Sequence, residues 1–590
     1  MSKKSKIALL TGTVVLSYVM YNYFDKKRKK KMVEELNAHP PLSWKPSNRN
    51  TTIHNMKTKY YDVLVIGGGA SGSGCALDAA TRGLKVAMVE SGDFACETSS
   101  KSTKLLHGGV RYLEKAVKSL DLSNLQLVLE ALRERKYVID AIPYMAKPIA
   151  LMLPVYSKLM VPYFLVGLKM YDYFSWNKSL GGSHHISVKE TLQHFPNIKL
   201  DGLKGSIVYY DGIHDDSRTN LMIALTAAYY NADVLNYSPV TQLVKNDGAV
   251  VGAVCKDMIG GEEFNIRAKC VISTTGPFTD QTKELANPKS QSLVVPSSGV
   301  HIVVPKEYGA NDMGLINPNT SDNRVLFFIP WLNKTIIGCT DKPCKVQKEP
   351  KPKDDEITYI LKEANRFLKE DKILKKSDIS SVWCGIRPLV KNPARRDTKS
   401  LARNHITYLT EENLLVLAGG KWTTYRKMAE DAIDLAVKKF HLNPIRPCVT
   451  NYIKMLGSHN YTKQLSADIQ RELDLNEDES THFITRYGDR SLIFQNYKDR
   501  KAPLKKLHSD YMYTEEEVYY AIDHEMACKP ADVLTRRMRL GFLDVKACEK
   551  ALEKVMKIFK KRMSWSAAKT KKGEKECLQM LESLGLKLLK

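Results

Sequence analysis

The residues Tyr61 to Ile66 read YDVLVI and run directly into Gly67-Gly68-Gly69-Ala70-Ser71-Gly72. No other feature of the chain restricts its fold as tightly. A short apolar run rich in β-branched residues is a buried strand, and glycines at this spacing turn it sharply into a helix. Ser71 to Arg82 supplies that helix, with Ala76, Ala79 and Ala80 on its packing face, and LKVAMVE from Leu84 to Glu90 supplies a second strand. A strand–helix–strand unit of this length demands a parallel sheet. Gly67 makes the turn, Gly69 lets backbone approach a pyrophosphate, and Gly72 lets the helix pack on the sheet. The helix start adds partial positive charge. Glu90 ends the second strand where a carboxylate can hold ribose hydroxyls. Together these predict a Rossmann-type dinucleotide-binding domain.

The glycine pattern does not separate FAD from NAD; the rest of the chain does. A second strand-and-glycine segment stands far downstream at Cys270 to Pro277 (CVISTTGP), and a third at Leu414 to Lys421 (LLVLAGGK), followed by a strong helix to Phe440. Chains that return to one dinucleotide site after long insertions are typical of flavin oxidoreductases, so FAD is expected. The fold class is α/β: a Rossmann-type FAD-binding domain over residues 60–440, with an interleaved α+β substrate or cap domain mainly at 116–205 and 300–380. A helical, richly charged C-terminal domain follows over 441–590. Residues 143–175 are aromatic and apolar but interrupted by Pro143, Pro148, Pro154 and Pro162, and are expected to be irregular.

The chain has 590 residues and a formal net charge of +25. That charge sits mostly at the ends. Residues 1–31 hold nine basic side chains against one acid, and residues 551–590 hold eleven against four. The C-terminal lysines lack an interleaved aromatic pattern, Trp565 being isolated, and the charge is confined to the ends, so nucleic acid is not an expected partner. Ile7 to Phe24 carries no charge and is flanked by Lys3, Lys4 and Lys6 and by KKRKKK at Lys26 to Lys31. As a helix it would be ~27 Å long, close to the ~30 Å hydrocarbon core, so residues 1–59 are expected to hold a single membrane anchor and a linker. Eleven cysteines without a CxxC pair fit reduced thiols. No metal site is expected. His524-Glu525 lacks the second histidine of a zinc-protease motif, and Cys339 and Cys344 are too widely spaced for a redox pair.

Seven further segments carry a resemblance: ETSSKSTKLLHGGVRYLE (Glu97 to Glu114), YDGIHDDSR (Tyr210 to Arg218), STTGPF (Ser273 to Phe278), PSSGVHIVVP (Pro296 to Pro305), IPWLNKTIIGCTD (Ile329 to Asp341), CGIRPL (Cys384 to Leu389) and AGGKWTTYRKMAE (Ala418 to Glu430). In these the chain resembles the FAD-dependent glycerol-3-phosphate dehydrogenases of the mitochondrial, quinone-reducing type. The resemblance implies oxidation of sn-glycerol 3-phosphate at C2 to dihydroxyacetone phosphate, with hydride passing to flavin N5 and electrons to a membrane quinone. It also implies the mitochondrial inner membrane, with a lipid partner; a homodimer is compatible with it. An oxidase using O2, or a related FAD-dependent hydroxy-acid dehydrogenase, shares the fold. A tRNA-modifying or non-catalytic flavoprotein is disfavoured by the confined charge. Animal members carry EF-hands; no D-x-[DN]-x-[DN]-G-x5-E loop occurs here.

The substrate is a small dianion, and arginine suits phosphate through bidentate contact. Family matching puts Arg111, Tyr112, Arg387, Arg403 and Lys421 around it. Pro388 follows Arg387 at what reads as a strand end. Removing the hydroxyl proton calls for a base titrating near neutrality, for which His107 and His301 are alternatives, while Arg111 or Lys421 could stabilise the developing alkoxide. His214, Asp215 and Asp216 are expected to be structural. The expected cofactor residues are Gly67, Gly68, Gly69, Ala70, Ser71, Gly72 and Glu90; the loop residues Thr98, Ser99, Ser100, Ser102, Lys104, Leu106, His107, Gly108 and Gly109; then Thr275, Gly276, Gly419, Gly420, Lys421 and Thr423. No histidine or cysteine stands at the attachment point, so the FAD is expected to be non-covalent.

Overall fold

The computed structural model describes Met20, Asp25 and residues 27–119, 121–317, 320–322, 324–391, 401–402, 405–498 and 502–589. Apart from Met20, the expected anchor at Ile7 to Phe24 lies outside the described residues, as does Arg403.

Two sheets share the chain. At the centre of the first is Tyr60–Ile66, paired in parallel with Val86–Val89 on one side and Glu263–Ser273 on the other. Leu414–Gly419 extends it beyond Glu263–Ser273, and Asp233–Leu235 beyond Val86–Val89, both parallel. His405–Leu409 closes one edge antiparallel. The central strands are buried on both faces, as their continuous apolar sequence requires. Helices Ala70–Thr81, Asp216–Tyr229 and Tyr425–Lys439 cover one face through Cys75, Ala76, Leu221, Ala224, Ala429 and Ile433. Helix Arg49–Thr58 packs Ile53 and Met56 on the other, alongside the hairpin of Val240–Asn246 and Ala249–Lys256.

The second sheet is built from the insertions. Its long axis runs through Ser381–Lys391, Val294–Pro305, Lys334–Gly338, Leu326–Trp331, Gly314–Asn317, Ala146–Pro154 and Ser206–His214. Ser206–His214 and Ser381–Lys391 lie just beyond the ranges 116–205 and 300–380.

Residues 143–175, expected to be irregular, are regular: a strand at Ala146–Pro154 and a helix at Met160–Ser175. Three of the four prolines stand where no backbone donor is needed. Pro148 lies where only Ser206–His214 pairs with its strand, Pro154 is the strand's last residue, and Pro162 falls in the helix's first turn.

The C-terminal quarter is helical from Leu465–Leu473 to Ala567–Ser583. It shares a core with the second sheet, where Trp331 and Trp383 join Leu540 and Phe542.

Candidate active site

The glycine turn is as tight as its sequence demands. Gly67 has φ +110°, and a Cβ there would lie 2.8 Å from the Thr274 carbonyl oxygen. At Gly72 it would fall 1.8 Å from the carbonyl oxygen of Gly67. Gly69 caps helix Ala70–Thr81 without a side-chain hydrogen bond. Ser99 Oγ accepts from the Ala70 N–H at 3.0 Å. Glu90 braces the turn, accepting from the Gly68 N–H at 2.6 Å through Oε2 and from the Gly92 N–H at 2.8 Å through Oε1.

A cavity of about 450 Å³ opens over this turn. Gly67, Gly69, Ala70, Ser71 and Glu90 form one end of its wall, followed by Thr98, Ser99, Thr275 and Gly276, with Gly419, Gly420 and Lys421 at another part. All three strand-and-glycine segments therefore meet in one space. An elongated dinucleotide fits this donor set: small residues where a backbone must be approached, a helix start whose own N-cap residue is a glycine without a side chain, and a carboxylate at the end of the second strand.

Other expected cofactor residues lie behind the wall. Gly68 and Gly72 are inside the turn. Lys104 is fully buried, its Nζ donating to Asp216 Oδ2 at 2.7 Å and to the Ser100 carbonyl at 2.8 Å. Burial pushes its amine down to about 7, with Asp216 opposing and Arg539 adding to the drop. Ser102 Oγ also donates to Asp216, at 2.7 Å. Arg539, from the C-terminal domain, reaches Asp216 at 3.2 Å and the Ser100 carbonyl at 2.9 Å. Asp216 thus ties Ser102, Lys104 and Arg539 together. Leu106, His107, Gly108 and Gly109 form the next turn, where Asp211 Oδ1 accepts from the Gly108 N–H at 3.0 Å, from Tyr171 at 2.8 Å and from Arg135 at 2.5 Å. Thr423 Oγ1 donates to the His107 carbonyl at 3.3 Å.

Two clusters hold most of the remaining site residues, joined to the cavity wall through Lys421 and Pro388. In the first, Lys421 Nζ lies 3.8 Å from the Tyr112 ring centroid, and burial with the Lys421 charge pushes His107 down to about 3. Arg111 is exposed in the first turn of the neighbouring helix, Val110–Ser119. The second lies on one face of the paired strands Val294–Pro305 and Ser381–Lys391, where His301 stands opposite Trp383 and Ser297 opposite Arg387. The His301 and Trp383 rings stack at 5.2 Å, and His301 Nε2 bonds Thr103 Oγ1 at 2.9 Å. Burial, then the Arg387 and Lys104 charges, holds His301 well below its ordinary value.

Arg387 lies inside its strand, not at its end. Its guanidinium donates to the Ser298 carbonyl at 3.1 Å, the Thr340 carbonyl at 3.0 Å, Asp341 Oδ1 at 3.2 Å and Cys339 Sγ at 2.8 Å. Those acceptors, rather than Pro388, fix the side chain. Thr103, Asp211, Trp383 and Arg539 were not singled out from sequence. Thr103 and Asp211 lie inside the segments of resemblance, and Arg539 belongs to the three arginines of TRRMR in an otherwise helical stretch.

The chain matches the family model "FAD dependent oxidoreductase" over residues 62–422, and "C-terminal domain of alpha-glycerophosphate oxidase" over residues 448–570. A probable glycerol-3-phosphate dehydrogenase of Encephalitozoon cuniculi is 44% identical over 562 residues, covering 95% of this chain and 90% of that protein. The mitochondrial glycerol-3-phosphate dehydrogenase of Homo sapiens is 43% identical over 537 residues, covering 89% and 74%. Among solved structures, the glycerol-3-phosphate dehydrogenase from Bacillus halodurans complexed with FAD superposes with a TM-score of 0.73 at 28% identity, covering 91% of this chain and 97% of that one. With both of its regions matched and its relatives aligned along nearly their whole shared length, the chain belongs to the FAD-dependent glycerol-3-phosphate dehydrogenase family.

Proposed function

We propose that this protein oxidises sn-glycerol 3-phosphate at C2 to dihydroxyacetone phosphate and delivers the electrons to a membrane quinone in mitochondria. The observation that carries the reaction is Lys421, which lines the dinucleotide cavity while its Nζ lies over the Tyr112 ring and its charge acts on His107, with Pro388 of the Arg387 strand on the same wall. FAD, bound along the glycine turn, supplies the two-electron acceptor for the C2 hydride. Arg387, already aimed by its carbonyl acceptors, binds the phosphate, with Arg111 and Arg403 as further cations. Lys421 stands nearer the reacting carbon and stabilises the alkoxide as the hydroxyl proton leaves. His107 takes that proton. It is neutral before substrate arrives, and a dianion beside it raises its affinity for the proton. His301 Nε2 is engaged by Thr103, which suits an orienting role.

The bilayer as partner draws support from helix Met160–Ser175 and its surroundings. Leu159, Tyr163, Val166, Tyr173 and Trp176 are exposed there, as is Leu122 nearby, with Lys158 and Lys169 among them. Apolar tips ringed by lysines suit an anionic lipid surface. No helix among the described residues is long and apolar enough to cross a membrane.

Anaerobic addition of sn-glycerol 3-phosphate to the yellow holoenzyme is the test. Bleaching of the flavin absorbance is expected, and an unreduced flavin overturns the reading. The oxidase alternative draws on the match over 448–570. Air admitted to the reduced enzyme separates the two: slow reoxidation by O2 and fast reoxidation by a soluble quinone are expected, and the reverse order favours the oxidase.

A further inference from the structure

Among the described residues, the cofactor cavity is short of positive charge. A pyrophosphate brings two negative charges, while among the described residues the only basic side chains lining the cavity are Lys421 and Lys348, opposed by Glu90 and Glu97. Lys421 is occupied at the Tyr112 ring. The start of helix Ala70–Thr81 supplies only about half a charge.

Lys348 comes from a strap that leads from the strand Lys342–Pro343 to helix Asp354–Asn365. The strap is tied down along its length. Ser297 and Ser298 pair with Pro343 and Lys342, and the Cys344 N–H donates to the Pro296 carbonyl at 3.2 Å. The Glu349 N–H donates to Glu97 Oε1 at 3.1 Å, and Pro350 and Pro352 are buried. The other oxygen of Glu97 accepts from Lys101 Nζ at 3.1 Å. Glu97 therefore joins the strap to the loop carrying Thr98 and Ser99, and Ser99 Oγ accepts from the Ala70 N–H. Lys348 is next to Glu349, so a short chain of hydrogen bonds connects its backbone to the helix start that faces the phosphates.

The geometry points to Lys348 as a cofactor-binding residue whose ammonium closes over the FAD pyrophosphate, with the Glu97–Glu349 bond latching the strap across the cavity. A lysine suits the position: its flexible stem carries a point charge from the exposed rim to the ligand. Neither the glycine motif nor the segments of family resemblance contain it.

The inference rests on FAD occupying this cavity. That arm is read first: wild-type holoenzyme must hold one releasable flavin per chain, and its failure there would sink the cofactor reading itself. The full-length holoenzyme is then diluted, and flavin release is followed by recovery of flavin fluorescence. Lys348→Met should release FAD about 3–5 times faster than wild type at low salt, the scale of one exposed charge pair. The difference should shrink to within about twofold in ~0.5 M salt, where screening is short-ranged. Lys348→Arg should stay near the wild-type rate. Lys345→Met is the control, because Lys345 lines a separate cavity of about 290 Å³ on the same strap. A wild-type release rate for Lys348→Met at low salt overturns the inference. So does an equal effect of Lys345→Met, which would mean overall charge, or of Lys348→Arg, which would mean packing.

Discussion

Arg387 and Lys421 differ in what holds them, and that difference predicts different kinetics. Four acceptors fix the Arg387 guanidinium before any ligand arrives. A rigid phosphate contact stabilises ground and transition states alike, so Arg387→Ala should mainly raise KM, with a smaller fall in kcat. Lys421, packed on the Tyr112 ring beside His107, should act on the alkoxide, and Lys421→Ala should lower kcat by roughly 10²–10³. Glycerol, lacking the phosphate, is the control in steady-state assays. If Arg387→Ala impairs glycerol as severely as glycerol 3-phosphate, the phosphate contact belongs to another cation. The types of these residues were legible once the resemblance implied a dianionic substrate, because a dianion needs arginines and a hydride transfer needs a base. Their settings were not. Thr103, Asp211 and Trp383 act through backbone carbonyls, amides and stacking between segments hundreds of residues apart, and no local spacing records such contacts.

At the scale of elements, the βαβ unit was legible because glycine, β-branched and alanine patterns each have one local cause. The prolines of 143–175 misled because whether a missing N–H matters depends on the neighbouring strand, which is a tertiary fact. The link between the C-terminal domain and the cofactor loop was likewise hidden. The turn Asp532–Arg537 sends Arg536 and Arg537 into Asp93, with Arg536 Nε at 2.6 Å from Oδ2 and Arg537 Nη2 at 3.0 Å from Oδ1. Asp93 and both arginines are buried, and the arginines hold the carboxyl below its ordinary value despite that burial. Asp93 sits in the loop that brings Ala95 and Cys96 to the cavity wall. Asp93→Asn should therefore cost about 3–5 kcal/mol, the scale of breaking a buried ion pair, and should speed flavin loss. Adding Arg537→Met should recover part of the loss by removing one unpaired charge. Thermal unfolding followed by flavin fluorescence measures both, and an Asp93→Asn melting temperature equal to wild type would dismiss the clamp.

Across the whole molecule, three distant stretches converge on the residues between the two halves. Val33 packs with Val449 and Ile453, the Tyr144 hydroxyl donates to the Leu456 carbonyl at 2.6 Å, and the Asp489 N–H donates to the Gly457 carbonyl at 3.0 Å. His459 lies in this junction, 8% exposed, with neither ring nitrogen hydrogen-bonded among the described residues. Burial, then His39, Lys454 and Arg490, pushes it down to about 3. Its unfolded value is about 6.5. Below that pH the unfolded chain takes up a proton that the folded chain refuses. The folded state is therefore fully favoured above about pH 6.5 and loses stability as pH falls toward the folded value, by about 1.4 kcal/mol per unit for this group. His107 and His214, held at about 3 and about 4 mainly by burial, act in the same direction, whereas buried acids with raised values, such as Asp211 and Glu134, act in the opposite one. A bare pH profile cannot assign the slope, so the comparison must be made within one site. His459→Phe keeps a ring in the junction and removes the titration. Between pH 7 and pH 5 the variant should lose about 2 kcal/mol less stability than wild type, read from paired unfolding curves. An identical loss in both proteins would mean that His459 takes up its proton in the folded state, and that the junction opens to water before the molecule unfolds.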